Sequence, residues 1–241
     1  MTFWDHLDVL RASLLRVAAA TLLGAVALFC CRNQLFDAVL APSRADFCVY
    51  RLMGADVTSV TLINTELTRQ FAAHIHMSIY VAFALVFPYA LYEVFAFVAP
   101  GLYDRERRYV RAVMLGGTVM FYAGMALSYF MVFPFSLRFL ATYQVSADIP
   151  NVITLDSYLS TLLSLTLMLG LVFELPVALW LAGKMGVVHR QMLVRYRRHV
   201  VVALLVVAAI ITPTTDALTL VLVSLPLFLL YELGICLVPR R

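Results

Sequence analysis

The sequence predicts an all-α integral membrane protein, and three observations predict it. Hydrophobic residues make up 63% of the 241 residues and charged residues only 13%, with a mean hydropathy of +0.92. Soluble domains carry roughly 25% charge, and a soluble core of this size has too little interior to hide so much apolar surface. The apolar residues fall in stretches of about 20, the length that crosses ~30 Å of hydrocarbon as helix. Basic residues gather in alternate connections. Together these exclude a soluble enzyme, an ordinary nucleic-acid-binding domain and a disordered chain.

Six stretches are expected to span: Ala12–Cys31, Ala72–Val98, Ala112–Phe133, Ser157–Gly183, His199–Thr212 and Ala217–Val238. The whole chain, 1–241, reads as one membrane domain. The fifth stretch is short for a full crossing. It needs either a thinner bilayer or a turn below the surface at Thr212–Asp216.

Of 18 basic residues, only Arg32, Arg44, Arg51, Arg69 and Arg138 fall outside the termini and the connections 99–111 and 183–198. The positive-inside rule therefore places both termini in the cytoplasm. The first stretch does not read as a cleaved signal peptide, because Asp5 and Asp8 offset Arg11 and Arg16 where a positive flank is needed.

The longest connection, 33–70, lies on the outer side, and a loop of that length is expected to carry its own structure. Leu35, Phe36, Val39 and Leu40 sit at helical spacing, which predicts a short amphipathic helix. Thr58–Leu67 is expected to form another. Pro88, Pro176 and Pro226 fall inside spans, where each frees the carbonyl four residues earlier, at Ala84, Val172 and Leu222. Helices kinked in this way favour a concave wall with the freed carbonyls facing protein or water.

Glu174 stands in the middle of an apolar span beside Pro176. An intramembrane acid is costly and faces a cavity or a partner. Two readings stay open: a polar site for a partner helix or a proton, and a neutral acid bonded to a Pro-freed carbonyl. Glu93 and Glu232 near helix ends read as solvated. Asp104-Arg105-Glu106-Arg107-Arg108 reads either as a neutralised surface patch or as a docking site for a basic peptide. Asp5 and Asp8, three apart, share a helical face ahead of the first span.

Cys30, Cys31, Cys48 and Cys236 match no metal spacing, and a bridge from Cys48 to Cys30 or Cys31 is left open. No histidine pair sits at matching depth on two spans for haem, and no nucleophile, zinc or phosphate-loop motif occurs. No enzyme, cofactor or metal is expected. On these residues alone, a proton-coupled secondary transporter using Glu174 would be the leading function.

Several segments then match one family in order. They are Phe3-Trp4-Asp5-His6-Leu7-Asp8-Val9-Leu10-Arg11, Ala41-Pro42, Phe97-Val98-Ala99-Pro100-Gly101-Leu102-Tyr103-Asp104-Arg105-Glu106-Arg107-Arg108 and Phe173-Glu174-Leu175-Pro176-Val177. The last hairpin adds Ile211-Thr212-Pro213-Thr214-Thr215-Asp216, Pro226 and Leu230-Tyr231-Glu232. The chain resembles TatC, the core subunit of the twin-arginine protein translocase.

The resemblance implies six spans, both termini inside and a glove-like concave wall in the cytoplasmic (inner) membrane of a bacterium. It implies a receptor for signal peptides bearing two consecutive arginines. That receptor would work in an oligomeric complex with the single-span subunits TatA, and TatB where present. Folded cargo would be exported by the proton-motive force, without nucleic acid or cofactor. For the signal-peptide site the resemblance points to Glu106, flanked by Arg105, and to an N-terminal acid near Arg11. The family pattern H-L-x-E-L-R puts its glutamate at Val9 here, so Asp8 is the nearest substitute and Asp5 its rival. Glu174, Thr212 and Thr219 map to the region where partner helices dock. Pro42, Pro88, Pro100, Pro176, Pro213, Asp216, Pro226 and Glu232 map to shape-setting positions.

Overall fold

The computed structural model describes residues 3–52, 60–98, 110–143, 152–212 and 216–238, with side chains from Leu7 onward in the first segment. Glu106, Arg105, Pro100 and Pro213, and the Asp5 side chain, lie outside the described residues.

The described chain is almost entirely helical. Its helices are α1 (Phe3–Cys30), α2 (Arg32–Leu40), α3 (Cys48–Leu52), α4 (Arg69–Val98), α5 (Val110–Leu127) and α6 (Phe133–Thr142). They continue with α7 (Leu155–Val172), α8 (Leu175–Lys184), α9 (Arg190–Arg195), α10 (Arg197–Ile211) and α11 (Ala217–Leu237). Among the described residues, five segments are long and apolar enough to cross a membrane: Leu7–Cys30, Arg69–Phe97, Val113–Thr142, Leu155–Lys184 and Ala217–Leu237. The expected fifth span is α10, a helix of 15 residues, which reaches only ~22 Å at 1.5 Å per residue.

Large apolar side chains point outward along these segments. Leu22 and Leu23 of α1, Leu115 of α5 and Leu225 of α11 are all exposed, as lipid-facing residues should be. The interior is assembled mainly from α4, α7 and α11, with Met77, Leu165, Leu169 and Leu227 fully buried. The helix α1 lies along α4. Gly24 permits the approach, since a Cβ there would stand 3.3 Å from that of Ala82.

The connection 33–70 has the expected helix α2, with Leu35 and Val39 buried. Its C-terminal carbonyls, which a helix leaves unpaired, are taken by tyrosines. Tyr158 Oη donates to Val39 O at 3.0 Å, and Tyr129 Oη donates to Ala38 O. Tyr50 Oη donates to Pro42 O at 3.1 Å, and burial pushes the Tyr50 phenol up from its ordinary pKa.

Three expectations are corrected, and one open question is answered. The described part of Thr58–Leu67 is not helical: Leu62–Ile63 forms a short strand, β1, paired in parallel with β2 (Ile153–Thr154). Val60, Thr61 and Ile63 are β-branched and favour extended backbone. The third span does not end at Phe133 but runs through Pro134 to Thr142. A π-helical turn at Ser128–Val132 widens the backbone just ahead of the proline and absorbs it. Pro176 does not kink a continuous helix. The chain turns at Phe173–Glu174, and Pro176 sits in the first turn of α8, where its missing N–H costs nothing. All four cysteines are free.

Candidate functional site

Glu174 is placed by that break. It is the N-cap residue of α8, and its backbone N–H bonds to Leu171 O at 3.1 Å. Its side chain turns inward against α5. Both carboxyl oxygens are buried and have no hydrogen-bond partner among the described residues. The reading in which a Pro-freed carbonyl satisfies this acid therefore has no contact behind it. Space for the carboxyl comes from Gly117, where an added Cβ would lie 2.8 Å from Glu174 Oε2 and 2.8 Å from Leu91 Cδ2. An unpaired buried polar group is expensive, and a donor from outside the chain would relieve that cost.

The carbonyl freed by Pro88 does find a protein partner: Tyr122 Oη donates to Ala84 O at 3.1 Å. The α4 helix thus keeps its proline-weakened turn tied to α5.

The described residues on either side of the α10–α11 connection are polar and hydrogen-bonded. Thr212 is buried, and its hydroxyl donates to Ala208 O at 3.0 Å. Asp216 caps α11, its Oδ1 accepting from Thr219 N at 2.6 Å. Thr219 is fully buried, and its hydroxyl donates to Ser136 Oγ of α6 at 2.9 Å. The Thr219–Ser136 bond ties the start of α11 to α6.

Glu93 corrects the sequence reading. It is not a solvated helix end but a buried side chain, 4% exposed, paired with Arg16 of α1 at 3.1 Å. Tyr89 Oη donates to its Oε1 at 2.8 Å. Two facing apolar-flanked helices bring the pair together, which no spacing within one segment could reveal. Glu232 is half-buried and accepts from Arg197 Nη2 at 2.8 Å, tying α11 to the start of α10. Tyr231 Oη reinforces this end by donating to Leu193 O at 2.8 Å. Asp8 and Arg11 are both exposed on α1.

Long helices with apolar outer faces, and an inward-facing carboxyl at Glu174, define a multi-pass helical membrane protein. The family model described as Sec-independent protein translocase protein (TatC) matches residues 5–226. The TatC of Escherichia coli strain K12 is 34% identical over 235 residues, spanning 95% of this chain and 85% of that protein. That of Azotobacter chroococcum mcd 1 is 35% identical over 230 residues, spanning 95% and 86%. A crystal structure of the twin-arginine translocase receptor TatC superposes with a TM-score of 0.80 at 32% identity, covering 96% of this chain and 97% of that one. A second, of the same receptor in DDM, gives 0.82 at 31% identity, covering 97% and 99%.

The chain belongs to the TatC family. It is a multi-pass inner-membrane protein of twin-arginine protein transport, and a component of the translocase. That membership places it among protein translocase components rather than secondary transporters.

Proposed function

We propose that this chain is the signal-peptide receptor and core subunit of a twin-arginine translocase, passing folded proteins across the membrane at the expense of the proton-motive force. The observation that carries this reading is the end-to-end likeness to solved structures of a translocase receptor. In this reading the chain is a single domain over 1–241 with six spans, α10 being a short fifth one, and both termini are cytoplasmic. The kinked helices form a concave, glove-like wall.

Peptide recognition is assigned to Glu106, with Arg105 beside it, and to Asp8 or Asp5 near Arg11. A carboxylate grips a guanidinium through two parallel hydrogen bonds, which an ammonium cannot match. Partner single-span subunits, TatA and TatB where present, are assigned to the side of the molecule that holds Glu174. Thr212 and Thr219 are assigned to partner-helix binding in the same reading. A polar donor on a partner helix would find Glu174 unpaired and in low dielectric, where a hydrogen bond is strongest. The shape-setting roles of Pro42, Pro88, Pro100, Pro176, Pro213, Asp216, Pro226 and Glu232 belong to the same reading.

The test is peptide binding. The purified protein in detergent is titrated with a signal peptide carrying Arg-Arg and with the same peptide carrying Lys-Lys. A preference for Arg-Arg that Glu106→Ala removes is the expected result. Binding blind to the swap in the presence of partner subunits would refute the receptor assignment.

A further inference from the structure

The Arg16–Glu93 pair has the build of a guanidinium site whose occupant can leave. The carboxylate side is fixed. Glu93 is 4% exposed and receives a hydrogen bond from the Tyr89 hydroxyl at 2.8 Å. Arg16 Nη2 adds the 3.1 Å ion contact. The cation side is loose. The Arg16 side chain is 56% exposed. Its other contacts are Nε to Ala12 O at 3.3 Å and Nη2 to Ser13 Oγ at 3.1 Å, both within its own helix.

An arginine with half of its side chain free of protein contact gives up one ion contact more readily than a buried one, whereas the buried carboxylate cannot be left without a cation. Exchange of one guanidinium for another meets both conditions. The position also fits. Val9, Ser13 and Arg16 recur at helical spacing on one face of α1. Val9, the apolar residue of that face, leaves the helix without an acid there. The neighbouring helix α4 supplies one at Glu93, about a turn and a half before its end at Val98.

We propose that Glu93 is an arginine-accepting carboxylate of the signal-peptide site, occupied by Arg16 in the empty receptor and taken over by a peptide guanidinium on binding. The proposal rests on the receptor reading above. An internal occupant taxes apparent affinity by the fraction of sites it holds. It also imposes a standard, since only a ligand with guanidinium geometry replaces what Arg16 gives up.

The test uses the full chain in detergent, fluorescent Arg-Arg and Lys-Lys signal peptides, and the variants Arg16→Gln, Glu93→Gln and the double variant. Arg16→Gln should tighten Arg-Arg binding roughly fivefold, because the competitor is gone. Glu93→Gln should weaken it about tenfold and leave Lys-Lys binding unchanged, because only the charge-assisted pair is lost. The double variant should follow Glu93→Gln. If the pair only clamps α1 to α4, both single variants weaken binding alike, and a loss or no change in Arg16→Gln overturns the proposal. Should Glu93→Gln fail to fold, the direction of the Arg16→Gln change decides alone. A wild-type chain that does not separate Arg-Arg from Lys-Lys removes the receptor reading itself, a different failure from a discriminating wild type with an inert Arg16.

Discussion

The Glu174 carboxyl occupies the space left by the absent side chain of Gly117. A methyl there would stand 2.8 Å from Oε2 and 3.3 Å from Oε1. The intramembrane acid and the glycine are therefore one unit, although they are 57 positions apart in sequence and sit on different helices.

Gly117→Ala should accordingly expel the carboxyl from its notch. The clashing atoms are the ends of two flexible side chains, Glu174 and Leu91, so the stability cost should be about 1 kcal/mol, at the low end for overpacking. Capture of a partner subunit should fall by more than stability does. Thermal unfolding in detergent beside a co-purification assay separates the two; equal, small effects on both would remove the notch from partner binding.

Substitution of the acid itself distinguishes charge from hydrogen bonding. Glu174→Gln keeps a polar group of the same shape and should preserve most partner assembly. Glu174→Leu removes it and should impair assembly, while unfolding at the same or a higher temperature because the buried unpaired oxygens are gone. Export assays and thermal scans on the same preparations read both. Full export by the leucine variant would leave Glu174 without a functional role.

The N-terminal acid is open to a direct comparison. Asp8→Asn should weaken Arg-Arg peptide binding several-fold if Asp8 stands in for the glutamate that resembling sequences place at Val9. Asp5→Asn should then have little effect. The reverse ranking would assign the role to Asp5.

Tyr158 holds helix α2 by its C-terminal end. Tyr158→Phe leaves Val39 O buried without its donor and should cost about 1–3 kcal/mol, read as a lowered unfolding temperature in detergent. Peptide binding should stay unchanged. A variant as stable as wild type would mean that water or another hydroxyl replaces the tie.

Much of this was legible in the chain. Hydrophobic run length marks segments that need no water, so the spanning helices Leu7–Cys30, Arg69–Phe97 and Ala217–Leu237 fall close to the expected stretches. The α2 helix follows from local spacing alone. The breaker at Pro176 was visible, but its result, a turn and a new helix, was not, because a proline permits either a kink or a start. Pro134 directly follows the expected end of the third span at Phe133, yet lies inside the helical segment. Only the π turn ahead of it lets the helix continue.

The sequence by itself determined that the chain lives in a bilayer, where its long apolar segments lie, and which family motifs it carries. Those properties depend on composition and on spacing within a segment. Tertiary structure alone decided that Glu93 is paired rather than solvated, that Gly117 makes room for Glu174, and that tyrosines from distant helices close the end of α2. Each of these joins groups on different helices, and which faces of two helices meet is set by the packing of the whole bundle rather than by any one span.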